Sequence, residues 1–333
     1  MKNKEQVLKS TKIKKSITPY IVIVGAILVI YSISLLVPLG WGFMTSLKET
    51  SDWDRPFSFL SFPDLSFWEV NKQWNLSHPN DTRYMYYDHI FGSYTRFFMN
   101  ARTEKNISYM YGWNMNIRAG YRIDQGFFDY IVNTLLYAGV SAFLSIMAPC
   151  IMGYLCAKFE NKFTGIIYAF VVVVMVLPVI GTGAATLTLV KRLSLHDTFW
   201  GIWIRDLNFC NMYFLVYYAF FRSLPNTYSE AAEIDGASYF RIMWTIYIPF
   251  AIKMVSTAFL IQFVTKYNNY NINLIYLPSK ITLAYAAWEY MQSKASYPEK
   301  MAASYVLAVP MLIFFVCFKN KLMGNMTVGG LKG

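Results

Sequence analysis

Long runs without a charged side chain alternate with short charged segments along this chain of 333 residues. A bilayer hydrocarbon core about 30 Å thick needs roughly 20 mostly apolar helical residues to cross it. Four charge-free runs can meet that need, at 16–47, 130–157, 163–190 and 301–318. This pattern predicts four membrane-spanning helices.

Two further stretches are apolar but carry charge. Residues 199–221 are interrupted only by Arg205 and Asp206, and residues 250–265 contain Lys253 near one end. Counting both predicts an all-α integral membrane protein with six transmembrane helices. The first helix, at 18–45, is expected to be an uncleaved anchor, because its apolar run is far longer than that of a signal peptide.

Composition supports a membrane protein. Hydrophobic residues make up 56% of the chain and charged residues only 15%, against about 25% charged residues in soluble domains. A disordered chain is excluded by the amount of apolar surface, and a soluble enzyme is disfavoured because so few charges could not cover its surface. Four cysteines are too few for a disulfide scaffold.

The net charge of +11 indicates the topology. Residues 1–17 contain six lysines against Glu5, and such a basic flank stays in the cytoplasm. With six spans, the tail at 319–333 returns to the cytoplasm and the segment at 46–125 lies outside. Nine of the eleven excess charges then fall on the inner side. The basicity therefore predicts orientation and gives no reason to expect nucleic-acid binding.

The predicted outer segment at 46–125 is enlarged and aromatic. It holds eighteen aromatic residues, with nine basic and nine acidic side chains in balance. Such a segment can bury a small core of its own and form a compact cap on the helix ends. Alternatively, its aromatic faces form a docking surface for a partner or a platform on which sugars stack.

Motifs for local chemistry are absent from the sequence. There is no phosphate-binding G-x-x-x-x-G-K-[ST] loop, no H-E-x-x-H and no C-x-x-C, and the three histidines are scattered. We therefore expect a chain that is not an enzyme, has no ATPase site, and binds neither a metal nor a cofactor itself.

The loop at 223–249 is the most informative stretch. Thr227 and Glu230 have the spacing of a capping box, and Gly236 permits a left-handed turn that ends a short helix. Ser238 can cap a second helix, and Pro249 fits the start of the following span. A small-surfaced helix held between two spans suits insertion into another protein, although an ordinary amphipathic connector would have the same pattern.

The same loop resembles the EAA loop of ABC importer permeases, whose pattern is E-A-A-x3-G-x9-I-x-L-P. The matching residues are Glu230, Ala231, Ala232, Gly236, Ile246 and Pro249, with Ile248 in place of the leucine. The ending, with Thr327 and residues 329–333, resembles the family ending G-x-T-x-G-[AG]-[VL]-K-G. The chain is thus similar to MalG-like carbohydrate-importer permeases over 15–48 and the five-helix core at 126–318 with its tail, and the segment at 46–125 is not explained by the family.

The resemblance implies partners and roles. A second homologous permease, two ABC ATPase subunits that bind ATP and Mg, and an extracytoplasmic solute-binding protein would complete a sugar importer in a bacterial cytoplasmic membrane. The implied ATPase-coupling residues are Glu230, Ala231, Ala232, Asp235, Gly236, Ile246 and Pro249. Residues implied to contact the ATPase from the tail are Gly329, Gly330, Lys332 and Gly333.

Substrate contacts are less sharply indicated. By analogy with a loop of the family that enters the binding protein, Tyr267, Asn268, Asn269 and Asn271 are candidates, and an interfacial aromatic belt is the alternative. Polar residues within spans often face a cavity, which makes Asn133 and Gln262 candidates for the pathway. Each could equally serve as a contact between helices.

Two other function classes compete. A secondary transporter or channel would call for inverted repeats or ionisable residues within its spans, and four of the predicted spans are free of charge. A membrane-bound carbohydrate enzyme would use the outer aromatic segment as its substrate platform.

Overall fold

A computed structural model describes residues 19–56, 61–64, 66–77, 91–100, 103–106, 122–177 and 182–326. The predicted basic N-terminus at 1–17 and the tail residues Gly329, Gly330, Lys332 and Gly333 lie outside the described residues. The chain divides into two compact units, Met1–Ser93 and Tyr94–Gly333. The two units are described separately.

The first unit is one long apolar helix followed by short helices. It contains α1 (Pro19–Ser46), α2 (Thr50–Trp53), α3 (Ser66–Ser77) and the first two residues of α4 (Gly92–Asn100). After α1 the chain buries Lys48, whose Nζ donates to Ser61 Oγ at 3.2 Å and lies 5.9 Å from the Trp53 ring. Burial lowers the pKa of Lys48, and the nearby Asp52 carboxylate opposes that shift. The start of the aromatic segment is thus locally folded.

The second unit is a helical bundle with one short pair of strands. Its further elements are β1 (Thr103–Asn106), β2 (Arg122–Gln125), α5 (Phe127–Lys158), α6 (Lys162–Val176), α7 (Thr182–Arg192), α8 (Phe199–Asp206), α9 (Met212–Ser223), α10 (Thr227–Ile234), α11 (Tyr239–Ile242), a π turn (Met243–Tyr247), α12 (Ile248–Tyr267), α13 (Asn271–Ile275), α14 (Leu283–Gln292) and α15 (Tyr297–Met326). The strands pair antiparallel, with Thr103 opposite Gln125. The helical class is confirmed, and this strand pair is its one departure in the described chain.

Helix α5 is the centre of the bundle and packs against α8, α9, α12 and α14. Gly153 allows a close approach of α9, since a Cβ there would lie only 3.0 Å from Tyr217 Cβ and from the Tyr218 backbone nitrogen. The adjoining core includes Cys150, which is fully buried. The bundle therefore has two ends: the Lys158 end, where α5 finishes, and the Asn133 end, near where it begins.

Four helices are long and apolar enough to cross a membrane, at Val22–Ser46, Phe127–Lys158, Tyr239–Tyr267 and Tyr297–Phe318. They correspond to the predicted spans at 16–47, 130–157, 250–265 and 301–318. The third of them is longer than expected, because α11, the π turn and α12 are continuous. The π turn ends two residues before Pro249, whose ring and missing N–H would disturb regular α-helical bonding in the preceding turn. The span therefore begins at Tyr239, eleven residues before the predicted start.

The other two predicted spans are each divided. For 163–190, α6 ends at Val176 and Leu177 is extended, as expected for a residue before proline. For 199–221, α8 ends at Asp206 and α9 begins after Asn211, whose Oδ1 accepts from Tyr213 N at 3.0 Å. Local capping by asparagine competes with a continuous helix here. Six uninterrupted spanning helices are therefore not observed in the described chain.

Candidate functional site

Helix α10 lies at the Lys158 end of the bundle and begins after Asn226. The expected capping box is wrong: Asn226, not Thr227, precedes the helix, and its side chain makes no capping hydrogen bond in the described structure. Thr227 already lies inside the helix and so cannot cap it, and the Asn226 side chain has another partner. Its Oδ1 accepts from Lys158 Nζ at 2.9 Å.

Lys158 fixes the start of the loop to the bundle. Its Nζ also donates to Leu224 O at 2.6 Å and lies 5.0 Å from the centre of the Tyr247 ring. Tyr247 in turn donates its hydroxyl to Ser229 Oγ at 3.2 Å. The Lys158 ammonium group thus joins the end of α5, the end of α9 and the π turn. The Tyr247–Ser229 hydrogen bond attaches α10 to the same group of helices.

Gly236 ends α10 as the sequence predicts. It has a φ of +76°, Ala237 N donates to Ala232 O at 2.9 Å, and Gly236 N donates to Glu233 O at 3.0 Å. These two bonds form a Schellman motif, which requires the left-handed conformation that glycine adopts without strain. Ser238 then caps the next helix, since its Oγ accepts from Arg241 N at 3.4 Å.

Most residues of α10 are exposed on the side that faces away from the bundle. Among the candidate coupling residues, Ala232 and Ile246 are half-buried against the bundle core. The exposed candidates are Glu230, Ala231, Asp235, Gly236 and Pro249. Large apolar side chains are exposed around them, with Ile234 at 87% and Phe240 at 70%. Exposed apolar groups grouped around a short helix are typical of a docking surface for another protein.

The Asn133 end is built around a tightly bonded loop between α12 and α14. Asn273, fully buried, donates its amide to Leu277 O at 2.9 Å and to Lys280 O at 2.7 Å, and accepts from Thr282 Oγ1 at 2.6 Å. These bonds hold the turn between α13 and α14. A buried polar side chain therefore fixes the geometry of this loop.

The four candidate residues of this loop have different surroundings. Tyr267 is buried and donates its hydroxyl to Leu307 O at 3.0 Å. Asn269 is half-buried and donates to the Tyr137 hydroxyl at 3.2 Å. Only Asn268 and Asn271 are exposed. Two of the four candidate residues are thus fully accessible to a partner.

The two pathway candidates also differ. Asn133 is buried and donates its amide to Ile281 O at 3.0 Å. This hydrogen bond attaches the loop before α14 to α5. Gln262 donates to the Tyr213 hydroxyl at 3.3 Å. Tyr213 lines a cavity of about 400 Å³ between α9 and α12, whose wall includes Thr257. Gln262 therefore lies beside a cavity, whereas Asn133 holds the residue before Thr282 against α5.

A charged cluster joins three helices and a loop near the Asn133 end. The buried Asp206 accepts from Arg205 at 2.9 Å and from Lys266 Nζ at 2.8 Å. The Arg205 guanidinium carbon lies 4.8 Å from the centre of the Tyr276 ring, and Arg205 and Asp206 both interact with Tyr137 of α5. The sequence identified Arg205 and Asp206 as neighbours but gave no sign of Lys266.

The most important residue that sequence reasoning missed is Lys158. The structure gives Lys158 three contacts around the start of α10, with Leu224, Asn226 and Tyr247. Nothing in the local sequence indicates that Leu224 and Asn226 lie within its reach. In the structure the end of α5 and the loop before α10 lie at the same end of the bundle.

Comparison with known proteins identifies the fold. Residues 145–320 match a family described as binding-protein-dependent transport system inner membrane component. A solved bacterial ABC transporter that imports the acidic polysaccharide alginate has a similar chain, with a TM-score of 0.62 and 18% identity over 91% of this chain and 95% of that one. At this identity the likeness shows the fold alone.

The chain is also similar to proteins that are named as permeases of sugar uptake systems. The melibiose/raffinose/stachyose import permease protein MelC of Bacillus subtilis is 26% identical over 61% of this chain and 75% of its own length. The diacetylchitobiose uptake system permease protein NgcG of Streptomyces coelicolor is 23% identical over 91% of this chain and 86% of its own. The matched segment covers more than half of the sequence and includes α10 and the helices around it. The chain belongs to the family of binding-protein-dependent transport system inner membrane components.

Proposed function

We propose that this chain is a permease subunit of an ATP-driven ABC importer and forms half of a transmembrane pathway for a sugar or oligosaccharide. The observation that carries the proposal is the exposed helix α10, fixed to the bundle at one end by Lys158 and terminated by Gly236. Family membership and relatives that are sugar import permeases support the substrate class.

The proposed mechanism places α10 in a groove of an ABC ATPase. ATP binding would close two ATPase subunits and move α10, which passes the motion to α5, α9 and the π turn through Lys158 and Tyr247. A rigid connection is needed for such a two-state change, because a loose loop would absorb the movement. Glu230, Ala231, Asp235 and Gly236 are exposed on this helix and in its turn and are the residues proposed to meet the ATPase.

The proposed assembly and orientation follow the charge distribution. Six crossings, with α6–α7 and α8–α9 forming two of them, would place both chain termini and α10 in the cytoplasm. The loop with Asn268 and Asn271 would then face a solute-binding protein outside. A second homologous permease would complete the pathway, and Gln262 and its neighbouring cavity are the proposed wall of this half. Gly329 to Gly333 are proposed to touch the ATPase.

The test is reconstitution with the partner subunits. We expect proteoliposomes containing both permeases and two ATPase subunits to take up a labelled sugar only with ATP inside and a loaded binding protein outside. The matched control omits this chain and should abolish uptake. Uptake driven by an ion gradient without ATP would support a secondary transporter instead, and a sugar released in chemically altered form would support an enzyme.

A further inference from the structure

An open groove at the Lys158 end of the second unit lies outside the contacts that hold α10. Two adjoining cavities of about 520 and 560 Å³ form the groove, and both are lined by Tyr168, Tyr218 and Arg222. Helix α5 ends beside this groove, α6 begins there, and α9 ends there. Because three helix ends meet, the groove lies where the bilayer surface crosses the bundle in the proposed topology.

Two exposed basic side chains line the groove. Lys162, the first residue of α6, has no ion pair or hydrogen bond through its ammonium group with any described residue. The Arg222 guanidinium donates to the Tyr218 hydroxyl and lies 5.7 Å from the centre of the Tyr218 ring. This contact orients the guanidinium and occupies one of its five N–H donors. The two cations therefore retain donors for an anion.

The groove has a net positive charge. Glu160 is the one acidic residue in its lining, against Lys162 and Arg222. Glu160 is exposed and forms no ion pair with either cation in the part of the chain that the structure describes. Pairing within the groove thus leaves the cations free, and a ligand with one negative charge would balance the lining.

Two tyrosine rings form a further wall. Tyr168 and Tyr218 are half-buried, and their ring centroids lie 4.5 Å apart. They pack on a core of Cys156, Val171 and Phe214, which joins α6 to α5 and α9. Tyrosine is enriched where the bilayer core meets the lipid headgroups, because its ring is apolar and its hydroxyl is polar. The aromatic wall therefore fits a ligand that lies at this boundary.

The neighbouring face of α6 is apolar and exposed. Phe163, Ile166 and Phe170 lie at helical spacing on this face, and each is more than half exposed. In a bilayer these side chains contact acyl chains. A small anion such as phosphate would use only the two cations, whereas a phospholipid uses both the cations and this apolar face. The combination favours a lipid over a free anion.

We propose that this groove binds the headgroup of an anionic phospholipid from the inner leaflet. Lys162 and Arg222 bind its phosphate, and its acyl chains lie along the exposed face of α6. The bound lipid joins the beginning of α6 to the end of α9, which leads into α10. The proposal rests on the proposed function for the orientation that places the Lys158 end in the cytoplasm.

The test measures which lipids the assembled importer retains. The importer is reconstituted in vesicles of equal parts phosphatidylglycerol, which is anionic, and phosphatidylethanolamine, which has no net charge. Native mass spectrometry then identifies the lipids that stay bound after mild extraction. We expect selective retention of phosphatidylglycerol, about five-fold weaker in Lys162→Ala and in Arg222→Ala and about thirty-fold weaker in the double variant, because each cation near the membrane surface attracts the lipid separately.

Two controls accompany these variants. Lys162→Arg keeps the charge and should retain phosphatidylglycerol nearly as wild type does. Arg241→Ala removes an exposed basic residue that follows α10 and does not line the groove, and it should leave retention unchanged. Addition of excess inorganic phosphate during extraction should not release the lipid, because phosphate cannot use the apolar face of α6.

The contrary outcomes are distinct. Equal retention of the two lipids by the wild type, or equal retention of phosphatidylglycerol by the wild type and the double variant, overturns the site. Release by inorganic phosphate would identify an anion site without a lipid preference and also overturns it. Efficient cross-linking of Lys162→Cys to the ATPase or to the second permease would show that a protein covers the groove, which contradicts the proposal.

These outcomes are independent of transport. Retention is measured without ATP, sugar or binding protein. Selective lipid retention in a complex that drives no ATP-dependent uptake would contradict the proposed function and leave the lipid site supported. Normal uptake without selective retention would do the reverse.

Discussion

Replacement of Gly236 gives the sharpest prediction about the coupling loop. A Cβ at this position would meet no described atom within 4 Å, so a larger side chain is not excluded by space. The restriction comes from the backbone, whose φ is +76°. The three variants Gly236→Asn, Gly236→Ala and Gly236→Val therefore separate backbone conformation from steric crowding.

The magnitude follows from that conformation. An L-residue in the left-handed region costs about 1–2 kcal/mol, asparagine is tolerated several-fold better than most residues, and a β-branched residue is an outlier there. Helix α10 has no buried residue. The strain can therefore be relieved by opening the Schellman turn without unfolding the bundle. A cost of about 1.4 kcal/mol shifts the balance between closed and open turn about ten-fold.

The assay compares transport with ATP hydrolysis in the reconstituted importer. We expect uptake per ATP hydrolysed to fall in the order glycine, asparagine, alanine, valine, because an open turn transmits less of the ATPase movement. Membrane insertion and assembly with the second permease should be unchanged in all variants. Co-purification of the subunits and the melting temperature of the complex provide these controls.

One pattern of results would refute the reasoning. If Gly236→Val transports as efficiently as wild type, the left-handed turn is not needed for coupling. Equal losses in Gly236→Asn and Gly236→Val would mean that the side chain itself disturbs the ATPase contact, and the backbone argument would then be wrong.

Three further substitutions test the packing that positions the site. Asp206→Asn should destabilise the complex by about 3 kcal/mol, measured by thermal unfolding. The substitution leaves Arg205 and Lys266, which are largely buried, with a neutral partner. Asn273→Ala removes three hydrogen bonds of a buried loop and should cost about 3 kcal/mol, whereas the exposed Asn268→Ala should cost little. Gly201→Ala should cost about 2 kcal/mol, because its Cβ would lie 2.3 Å from Leu195 O. An unchanged melting temperature in Asp206→Asn, Asn273→Ala or Gly201→Ala would contradict the expectation for that variant.

The sequence predicted the helical membrane class because long charge-free runs have few alternatives to a helix in lipid. It located the end of α10 correctly because the left-handed turn has a strong local signal in Gly236. It misplaced the start of α10 by one residue, since Thr227 is already helical and the preceding Asn226 accepts from Lys158, which is distant in sequence. A local sequence pattern cannot indicate a contact between residues so far apart in the chain.

Hydropathy also failed to show where helices break. Residues 163–190 and 199–221 are apolar throughout most of their length, but short polar and proline-containing stretches end α6 and α8 within them. A similar limit applies to Asn133, which the sequence placed among pathway candidates. Its amide partner, Ile281 O, is 148 residues away along the chain, and only the folded structure brings them together.

The central claim is that ATP-driven movement enters this chain through α10. Its most direct test is cross-linking from Ala231→Cys, an exposed position on that helix, in the assembled importer. The account predicts a cross-link to the ATPase subunit whose yield changes on ATP binding. Asn271→Cys, at an exposed position of α13, is the control that does not react with the ATPase. Capture of the ATPase from Asn271 and not from Ala231 would contradict both the orientation and the coupling mechanism.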